Sequence, residues 1–595
     1  MITKKSKLWM WVAILITCQL SLVPSVAHAI ESSQNSGAGI YAVVPLPQSI
    51  EMQKSEPFMP WYDQVRIFAS GELTTEAMLL QSYLKDITGT TLPIAQKREK
   101  GMSYIELSVS PKVTAPEGYV LTVNKKGITI AGGSAAGVFY GIQTLRKAIA
   151  NTKQSVQITN LTAPSQTPPF IMLSPVVITD APRFSWRGMH LDSSRHFWSV
   201  DFVKKFIDLL AMHNMNVFHW HITDDQGWRI EIKKWPRLTT VGSQRSGTII
   251  GTNSDLDDGV PYGGYYTQAE AREIVAYATA RHITVVPEID MPAHMLAALA
   301  AYPELGCTGG PYQVGHYWGV YKDVLCVGNP KVYEFVEDVL TEIMDIFPSK
   351  VIHIGGDETP SEKWQHCKKC NEIYIKKTLE GRVTGQVEGE SDGPRTMPEY
   401  PYEEMVRSVL QPYFTNKVFN ILAFKGRRAL GWDEILDGAP HDAMIMSWRG
   451  SAPGAKAAEA GHDVVMAPTT HCYFDYQQVE DTQFEPSRCG GFIPIERVYS
   501  LDPAPDSLSV EARSHILGTQ ANLWAEYMTN EQMVEYQALP RMSALAEVQW
   551  TQPARKDYKA FLQRLTLFTA LFEQYHYTYA KHLWPERQIP NRWQF

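Results

Sequence analysis

The sequence predicts an α/β protein in which a small α/β domain precedes a (β/α)8 barrel of the TIM type. Eight short apolar runs recur from about residue 184 onward, and helical stretches lie between many of them. The chain has 595 residues, enough for a barrel of about 250 residues and an additional domain. Strands that alternate with helices favour a parallel barrel, whose active site lies just beyond the carboxyl ends of the strands.

The small domain is predicted over residues 40–175. Short segments there alternate apolar and polar residues, as half-buried strands do, and a helical stretch follows at Ala135–Ala150. The alternating segments are Ser103–Val109, Tyr119–Val123 and Ile128–Ile130. A proline-rich stretch at 162–183 predicts a link to the barrel.

The barrel is predicted over residues 180–560, and a helical tail packed on the barrel over 561–595. The predicted strands are Gly188–Leu191, Val217–Ile222, Ile283–Pro287, Val351–Ile354, Ala429–Trp432, Ala443–Trp448, Asp463–Met466 and His515–Thr519. The predicted helices include Asp201–His213, Gln268–Arg281, Val332–Ile346 and Pro453–Ala460. Most of the strands end in polar or aromatic residues, so function is sought in the residues that follow them.

The N-terminus has the pattern of a cleavable signal peptide over residues 1–29. Three lysines precede an apolar run at Leu8–Val23, and Ala27 and Ala29 fit the small-x-small cleavage pattern. A membrane anchor is the alternative, but this run falls short of the roughly 20 residues that span a bilayer. The sequence therefore predicts an exported protein, periplasmic or secreted, without a transmembrane segment once the signal is removed.

Charge and composition narrow the classes of partner. The formal net charge is −8 and becomes about −11 without the signal peptide. No lysine- or arginine-rich cluster is present, so nucleic acid is not a predicted partner. The 16 Trp and 28 Tyr residues suit a sugar-binding protein, because aromatic rings stack on the apolar faces of sugars, although large cores use aromatic residues too.

The cysteines that follow the signal peptide occur as local pairs. The pairs are Cys307 with Cys326, Cys367 with Cys370, and Cys472 with Cys489. Because an exported protein can oxidise its thiols, three local disulfides are predicted. Zinc at the Cys-x-x-Cys segment is the alternative, but it needs a second Cys/His pair, and none stands at a standard spacing. No metal and no cofactor are therefore predicted.

The strongest candidate for catalysis is the segment Val351–Glu358, an apolar strand that runs into Gly355, Gly356, Asp357 and Glu358. Two adjacent carboxylates at a strand end repel each other, so one pKa should rise, which suits general acid catalysis. Neighbours on an extended chain point to opposite sides, so one of the two is expected to do something other than nucleophilic attack. An acidic pair that begins a solvated helix or binds a cation is the alternative.

A second candidate segment supports a rival mechanism. His219 and His221 share one face of a strand, a spacing also typical of metal-dependent barrel hydrolases. Further metal ligands could come in principle from Asp290 and His353 on other strands. The structural alternative is that these histidines fill the barrel interior and hydrogen-bond to carboxylates.

Three predicted strands end near tryptophans, namely Trp432, Trp448 and Trp524. A single tryptophan is most often a core residue, but three at strand ends indicate an aromatic-walled pocket for a small ligand.

Together these motifs resemble glycoside hydrolase family 20, the β-N-acetylhexosaminidases. The resemblance covers about residues 185–550 in order. It rests on Arg187–His196, the run His219–Gln226, the run Pro287–His294, the acidic segment and the segments around Trp432, Trp448, Tyr473 and Trp524. Residues 118–147 resemble the small domain that precedes the family's barrel.

The resemblance implies a retaining exo-glycosidase that hydrolyses terminal N-acetylglucosamine or N-acetylgalactosamine. The substrate's 2-acetamido oxygen would attack C1 to form an oxazolinium intermediate, without an enzyme nucleophile. Glu358 would be the acid and base, Asp357 would hold the acetamido N–H, and Tyr473 the acetamido oxygen. The implied sugar-binding residues are Arg195, Trp432, Trp448, Asp475, Trp524 and Glu526. The implied supporting pairs are Asp224 with His294 and Asp290 with His353. The implied partner is a glycan or glycoconjugate that ends in such a sugar.

Overall fold

The computed structural model describes residues 39–159, 171–383, 402–481, 485–486 and 489–584. The predicted signal peptide and the last residues of the predicted tail lie outside these ranges. Within them, no helix combines the length and the apolar character that crossing a bilayer requires.

The first domain is a mixed seven-stranded sheet with two long helices. The strand order is β1-β7-β5-β6-β4-β2-β3. The strands are β1 (Ser49–Met52), β2 (Val65–Ala69), β3 (Ile94–Ala95), β4 (Ser103–Val109), β5 (Tyr119–Asn124), β6 (Gly127–Gly132) and β7 (Val176–Asp180). The helices are α1 (Thr74–Thr88) and α2 (Ala135–Thr159). The alternation read from the sequence is the burial pattern itself, since Tyr119, Leu121 and Val123 are buried on one face of β5.

Strand β7 corrects one sequence-based boundary. The stretch 162–183 was expected to be a link, yet β7 lies within it and pairs antiparallel with both β1 and β5. The proline content masked a five-residue strand whose alternate residues Val176 and Ile178 are buried. The small domain therefore extends to residue 180.

The second domain is a closed barrel of eight parallel strands, as predicted. They are β8 (Trp186–Asp192), β9 (Val217–His221), β14 (Thr284–Glu288), β15 (Val351–His353), β16 (Arg428–Trp432), β17 (Met444–Ser447), β18 (Val464–Met466) and β19 (Ile516–Ala521). Two short hairpins follow β9, namely β10 (Thr223–Asp224) with β11 (Gly227–Trp228), and β12 (Gln244–Arg245) with β13 (Tyr262–Gly263). Each of the eight predicted runs contains or overlaps one barrel strand.

Helices surround the barrel and carry their apolar faces toward it. They are α3 (Val200–Met212), α4 (Arg237–Thr240), α5 (Gln268–Thr279), α6 (Leu296–Ala301), α7 (Pro330–Ile346), α8 (Glu362–Gln365), α9 (Lys368–Val383), α10 (Tyr402–Phe424), α11 (Ala452–Glu459), α12 (Thr469–Cys472), α13 (Ile495–Ser500), α14 (Val510–His515), α15 (Glu531–Ala538), α16 (Arg541–Trp550) and α17 (Tyr558–Gln574). Local caps fix several starts: the side chain of Ser199 accepts from Phe202 N at the start of α3, and Thr267 with Glu270 forms a capping box at α5.

Buried charge joins the two domains at the amino ends of the barrel strands. The guanidinium of Arg187 in β8 donates to both carboxylate oxygens of Glu117, at 2.8 and 2.9 Å, and to the hydroxyl of Tyr140 at 2.8 Å. The last helix, α17, packs on α2 of the small domain and forms an ion pair with α16 through Arg564 and Glu547. The predicted tail thus contacts both domains, not the barrel alone.

Candidate active site

A pocket of about 220 Å³ lies at the carboxyl ends of the barrel strands. All nine residues that the sequence assigned to catalysis or sugar binding line it, together with His294. The nine are Arg195, Asp357, Glu358, Trp432, Trp448, Tyr473, Asp475, Trp524 and Glu526. They come from the ends of different strands, so the barrel unites residues that are more than 300 positions apart in the chain.

The turn after β15 brings both adjacent carboxylates to the same cavity. Gly355 and Gly356 have φ angles of 67° and 96°, and Glu358 itself has a φ of 48°. A side chain at Gly355 would place its Cβ only 1.7 Å from Oδ1 of Asp290, so glycine is required there. The expectation that the two acids point to opposite sides is wrong, because it assumed an extended chain. The left-handed conformation of Glu358, costly for a residue with a side chain, turns it toward Asp357's cavity.

His294 connects this acidic pair to a deeper pair of carboxylates. Its Nε2 lies 3.6 Å from Oδ2 of Asp357 and 3.7 Å from Oε2 of Glu358. Its Nδ1 lies 3.2 Å from both Asp224 and Asp225. Burial alone lowers the pKa of His294, but the carboxylates of Asp224 and Asp357 outweigh it and hold that pKa well above its usual value. Asp224 and His294, which the resemblance implies as a supporting pair, are therefore in direct contact.

The two catalytic candidates differ in their environments. The side chain of Asp357 is only 14% exposed, whereas that of Glu358 is 40% exposed. Burial, opposed by His294, raises the pKa of Asp357, so the expected rise falls on this acid. Its Oδ1 atom is buried and has no hydrogen-bond partner among the described residues. A buried acceptor of this kind requires a donor, and Asp357 lines the pocket.

Aromatic rings form the walls of the pocket. Trp432 and Trp524 lie with their ring centroids 5.8 Å apart, and Trp448 stacks on Tyr473 at 6.2 Å and 24°. Burial and the charge of Asp475 raise the pKa of Tyr473 well above its usual value, so its hydroxyl keeps its proton and can donate.

A polar cluster closes the far side of the pocket. The guanidinium of Arg195 lies 2.8 Å from Asp224, 3.2 Å from Asp192 and 3.7 Å from Glu526, and sits over the ring of Trp524. Burial and the charge of Glu526 raise the pKa of Asp475 well above its usual value. Oδ1 of Asp475 and Oε2 of Glu526 are buried without hydrogen-bond partners among the described residues. The cluster therefore offers unsatisfied acceptors next to a fixed cation, which suits several hydroxyl groups of a ligand.

The barrel histidines converge on Glu288, which the sequence analysis did not select. Glu288 is fully buried, and its carboxylate lies 2.5 Å from His221, 3.1 Å from His219 and 2.9 Å from His353. It also accepts the indole N–H of Trp432 at 2.9 Å. The cluster thus fixes the back of a pocket wall.

This arrangement corrects the predicted pair of Asp290 with His353. His353 contacts Glu288, while Oδ1 of Asp290 accepts the backbone N–H of Gly356 at 3.2 Å. Asp290 therefore supports the glycine turn before Asp357. Among the described residues, no cluster that could hold one metal ion combines Asp290 with His219, His221 or His353. Glu288 lies two residues before Asp290 in the run Pro287–His294, but nothing in its spacing marked it as the common partner of the histidines.

Other lining residues come from positions that the sequence patterns did not mark. They are Gln226, Trp318, Gly319, Val320, Tyr476 and Cys489. Gln226 accepts a hydrogen bond from Nε of Arg195 at 2.9 Å. It is the last residue of the run His219–Gln226, so that motif could have identified it as a site residue. Trp318 lies on a loop without regular structure between α6 and α7. No helical or strand periodicity in the sequence therefore marks it.

Glu434 is a further buried acid beside the site, and it predicts a pH-dependent stability. Its carboxylate accepts the indole N–H of Trp448 at 3.0 Å, and burial with the charge of Asp357 raises its pKa from 4.5 to about 7. In that pH window the unfolded chain has lost the proton that the folded chain keeps, so stability falls as the pH rises. Glu434→Gln removes this loss, which amounts to about 3 kcal/mol at most. The thermal midpoint of the variant, relative to that of the wild type at the same pH, should therefore be higher at about pH 7.5 than at about pH 4.5.

Differential scanning calorimetry at both pH values tests this. Glu459→Gln, at an exposed position on α11, is the matched control. Its thermal midpoint should equal that of the wild type at both pH values. A Glu434→Gln difference that is equal at both pH values contradicts the assignment.

The cysteines differ from the predicted local pairs, and all six in the described residues are free thiols. Cys472 is buried against Thr519, whereas Cys489 lines the pocket. The other four lie together, Cys307, Cys326, Cys367 and Cys370, with all four Sγ atoms within 4.8 Å of one another. No disulfide joins the described cysteines, and the fold brings two of the predicted pairs, which are distant in the chain, into one cluster.

Comparison with known proteins places this geometry in a family. Residues 184–553 match the model described as glycosyl hydrolase family 20, catalytic domain, and residues 40–164 match domain 2 of the same family. A β-hexosaminidase of Porphyromonas gingivalis is 40% identical over 530 residues, which cover 88% of this chain and 62% of that protein. The chain therefore spans less than two thirds of the length of that relative.

Two further comparisons agree. A β-hexosaminidase of Akkermansia muciniphila is 34% identical over 460 residues, covering 76% of this chain and 82% of that protein. The crystal structure of an exo β-N-acetylglucosaminidase from Vibrio harveyi in complex with N-acetylglucosamine has a TM-score of 0.74 and 29% identity, covering 92% of this chain and 79% of that one. The chain belongs to glycosyl hydrolase family 20, as its motifs indicated.

Proposed function

We propose that the protein is an exo-acting β-N-acetylhexosaminidase that removes terminal N-acetylglucosamine or N-acetylgalactosamine with retention of configuration. One observation carries the proposal. Asp357 presents a buried, unpartnered carboxylate oxygen beside the more exposed Glu358, within a pocket walled by tryptophans. The Vibrio harveyi enzyme named above, which was solved with N-acetylglucosamine, supports the choice of sugar.

The first step uses the substrate's own acetamido group. Its carbonyl oxygen attacks C1 while the bond from C1 to the leaving oxygen breaks, and Glu358 gives its proton to that oxygen. The product is a cyclic oxazolinium ion, so no carboxylate of the protein forms a covalent bond. Asp357 accepts the acetamido N–H and opposes the growing positive charge, while the Tyr473 hydroxyl donates to the carbonyl oxygen.

The second step reverses these roles. Glu358, now ionised, takes a proton from a water molecule that attacks C1, and the ring opens to regenerate the acetamido group. C1 is attacked twice, so its configuration is retained. Trp432, Trp448 and Trp524 enclose the ring and the acetamido methyl group, and they hold the carbonyl near C1 so that the attack becomes intramolecular.

The polar cluster selects the terminal sugar. Arg195 is held by three carboxylates and keeps further N–H donors for sugar hydroxyls, while Asp475 and Glu526 supply acceptors. A pocket that binds these outer hydroxyls in a polar wall suits a chain end rather than an internal sugar, so release from the non-reducing end is proposed. Chitin oligomers, peptidoglycan fragments and host glycans all present such ends.

Export is part of the proposal. It is supported by three N-terminal lysines, the apolar run Leu8–Val23 and the small residues at Ala27 and Ala29. N-terminal sequencing of the mature protein tests it, with cleavage after Ala29 as the expected result.

Asp357→Asn is expected to lower kcat on an aryl N-acetylglucosaminide by about 10² to 10³-fold. The amide keeps the shape of the side chain but loses the charge that opposes the oxazolinium ion. Steady-state kinetics with purified protein measures this, and circular dichroism checks the fold. Asp437→Asn, in the segment that follows β16 and with a side chain that is 89% exposed, is the control and should retain normal rates.

A normal rate for Asp357→Asn would remove the assigned role. Absence of turnover by the pure wild-type protein on the aryl substrate would instead favour the alternative, a sugar-binding protein without catalysis.

A further inference from the structure

Four cysteines form a buried cluster outside the pocket, here termed the cysteine tetrad: Cys307, Cys326, Cys367 and Cys370. Cys326, Cys367 and Cys370 are buried, and Cys307 is partly buried. The reaction proposed above uses none of them. Cys307 and Cys326 lie in the segment between α6 and α7. Cys367 lies between α8 and α9, and Cys370 lies in the first turn of α9.

The backbone builds the tetrad from two halves. Gly306 and Leu325 form an antiparallel bridge, which places Cys307 beside Cys326. The indole N–H of Trp364 donates to the carbonyl of Leu325 at 2.9 Å and so fastens the second half to the first. Gly328 packs against the backbone of the second half. An added Cβ would lie 2.2 Å from the carbonyl oxygen of Lys369, so any side chain at this position would clash with that oxygen.

The sulfur positions match a tetrahedral metal site. The Sγ atom of Cys326 lies 3.6 Å from the Sγ atoms of both Cys367 and Cys370. The Sγ atom of Cys307 lies 3.8 Å from that of Cys370. A zinc ion with Zn–S bonds of about 2.3 Å separates its four tetrahedral sulfurs by about 3.8 Å. A disulfide requires about 2.05 Å, and the separations here are far longer.

We propose that the cysteine tetrad binds one structural Zn²⁺ ion through four thiolates. Four thiols release four protons as they bind the ion, which leaves a complex with two negative charges. Four thiolates without an open position are typical of a structural zinc site and leave no position for substrate.

This ion would couple two loops that serve the active site. The segment between Cys307 and Cys326 carries Trp318, Gly319 and Val320, which line the pocket. Cys367 and Cys370 stand just beyond the acidic turn that holds Asp357 and Glu358. Closing both loops onto one ion removes conformational freedom from a long segment without regular structure. The tetrad would thereby hold the pocket-lining residues Trp318, Gly319 and Val320 at a fixed distance from the carboxylates of Asp357 and Glu358.

Metal analysis of the wild-type protein is the primary test, and it needs neither activity nor a variant. The full chain is produced in zinc-supplemented medium, dialysed against metal-free buffer and analysed by inductively coupled plasma mass spectrometry. The expected result is about one zinc per chain, with X-ray absorption giving four sulfur neighbours at about 2.3 Å. Zinc-free protein whose mass is lower by four hydrogens would mean two disulfides and would overturn the proposal, as would iron in place of zinc.

Two variants locate the ion. Cys367→Ser together with Cys370→Ser removes half of the ligands and should abolish the zinc content and lower the thermal midpoint. Cys472→Ala, which removes a buried thiol outside the tetrad, is the matched control and should keep the zinc. Zinc retained by the double variant would overturn the assignment of these ligands. Because the readout is metal content, the proposed glycosidase activity can fail or stand independently of the result.

Discussion

A 4-nitrophenyl β-glucoside, which lacks the acetamido group, is expected to react at least about 10⁴-fold more slowly in kcat/KM than the corresponding N-acetylglucosaminide. The reason is that the proposed mechanism gives Asp357 and Glu358 other roles, so the carbonyl of the substrate must attack C1. Well-oriented intramolecular attack corresponds to effective molarities of about 10⁵ to 10⁸ M. Removing the acetamido group also leaves the buried oxygen of Asp357 without its donor.

A graded series of substrates separates these two effects. Successive fluorination of the acetyl methyl weakens the carbonyl as a nucleophile while it keeps the N–H, so kcat should fall with each fluorine. Comparable rates for the glucoside and the N-acetylglucosaminide, or rates insensitive to fluorine, would exclude neighbouring-group attack. Asp357 would then have to be reconsidered as a nucleophile.

Glu358→Gln is expected to lower kcat on chitobiose by about 10³ to 10⁴-fold, near the upper end of what a general acid contributes. The amide cannot give a proton to the departing sugar. The loss should be smaller on a 4-nitrophenyl glycoside, because nitrophenolate leaves without a proton. Parallel kinetics on the two substrates, with the thermal midpoint as a check of folding, makes the comparison.

The second half of the reaction gives an internal control for Glu358. Azide needs no base, so it should restore turnover of the nitrophenyl substrate by Glu358→Gln and give a β-glycosyl azide. It should not restore Asp357→Asn in this way, because that variant forms the oxazolinium ion poorly. Equal losses on both substrates without azide rescue would contradict the acid and base role.

The barrel was predictable from the sequence because its strands are short and mostly buried, and β9, β17 and β18 are buried at every residue. The site was predictable to the extent that its residues follow those runs directly, as Asp357 and Glu358 follow β15. Their roles came from resemblance to a family. Spacing alone left the choice between a metal-dependent hydrolase and a glycosidase open.

The remaining features depend on contacts between distant segments. Glu288 became the partner of three histidines only when β9, β14 and β15 lay side by side in the barrel. Cys307 and Cys367 are 60 positions apart in the numbering, and no standard spacing relates them. The joint direction of Asp357 and Glu358 depended on a backbone angle at a non-glycine residue, which composition does not reveal.

The buried contact of Arg187 with Glu117 and Tyr140 has a consequence for the independence of the two domains. A barrel cut free of the first 180 residues would lose the bidentate ion pair of Arg187 with Glu117 and would expose the guanidinium on β8 to water. The helix α17 would also lose its neighbour α2. The small domain thus covers the amino ends of the barrel strands, and the catalytic domain is not expected to fold stably without it.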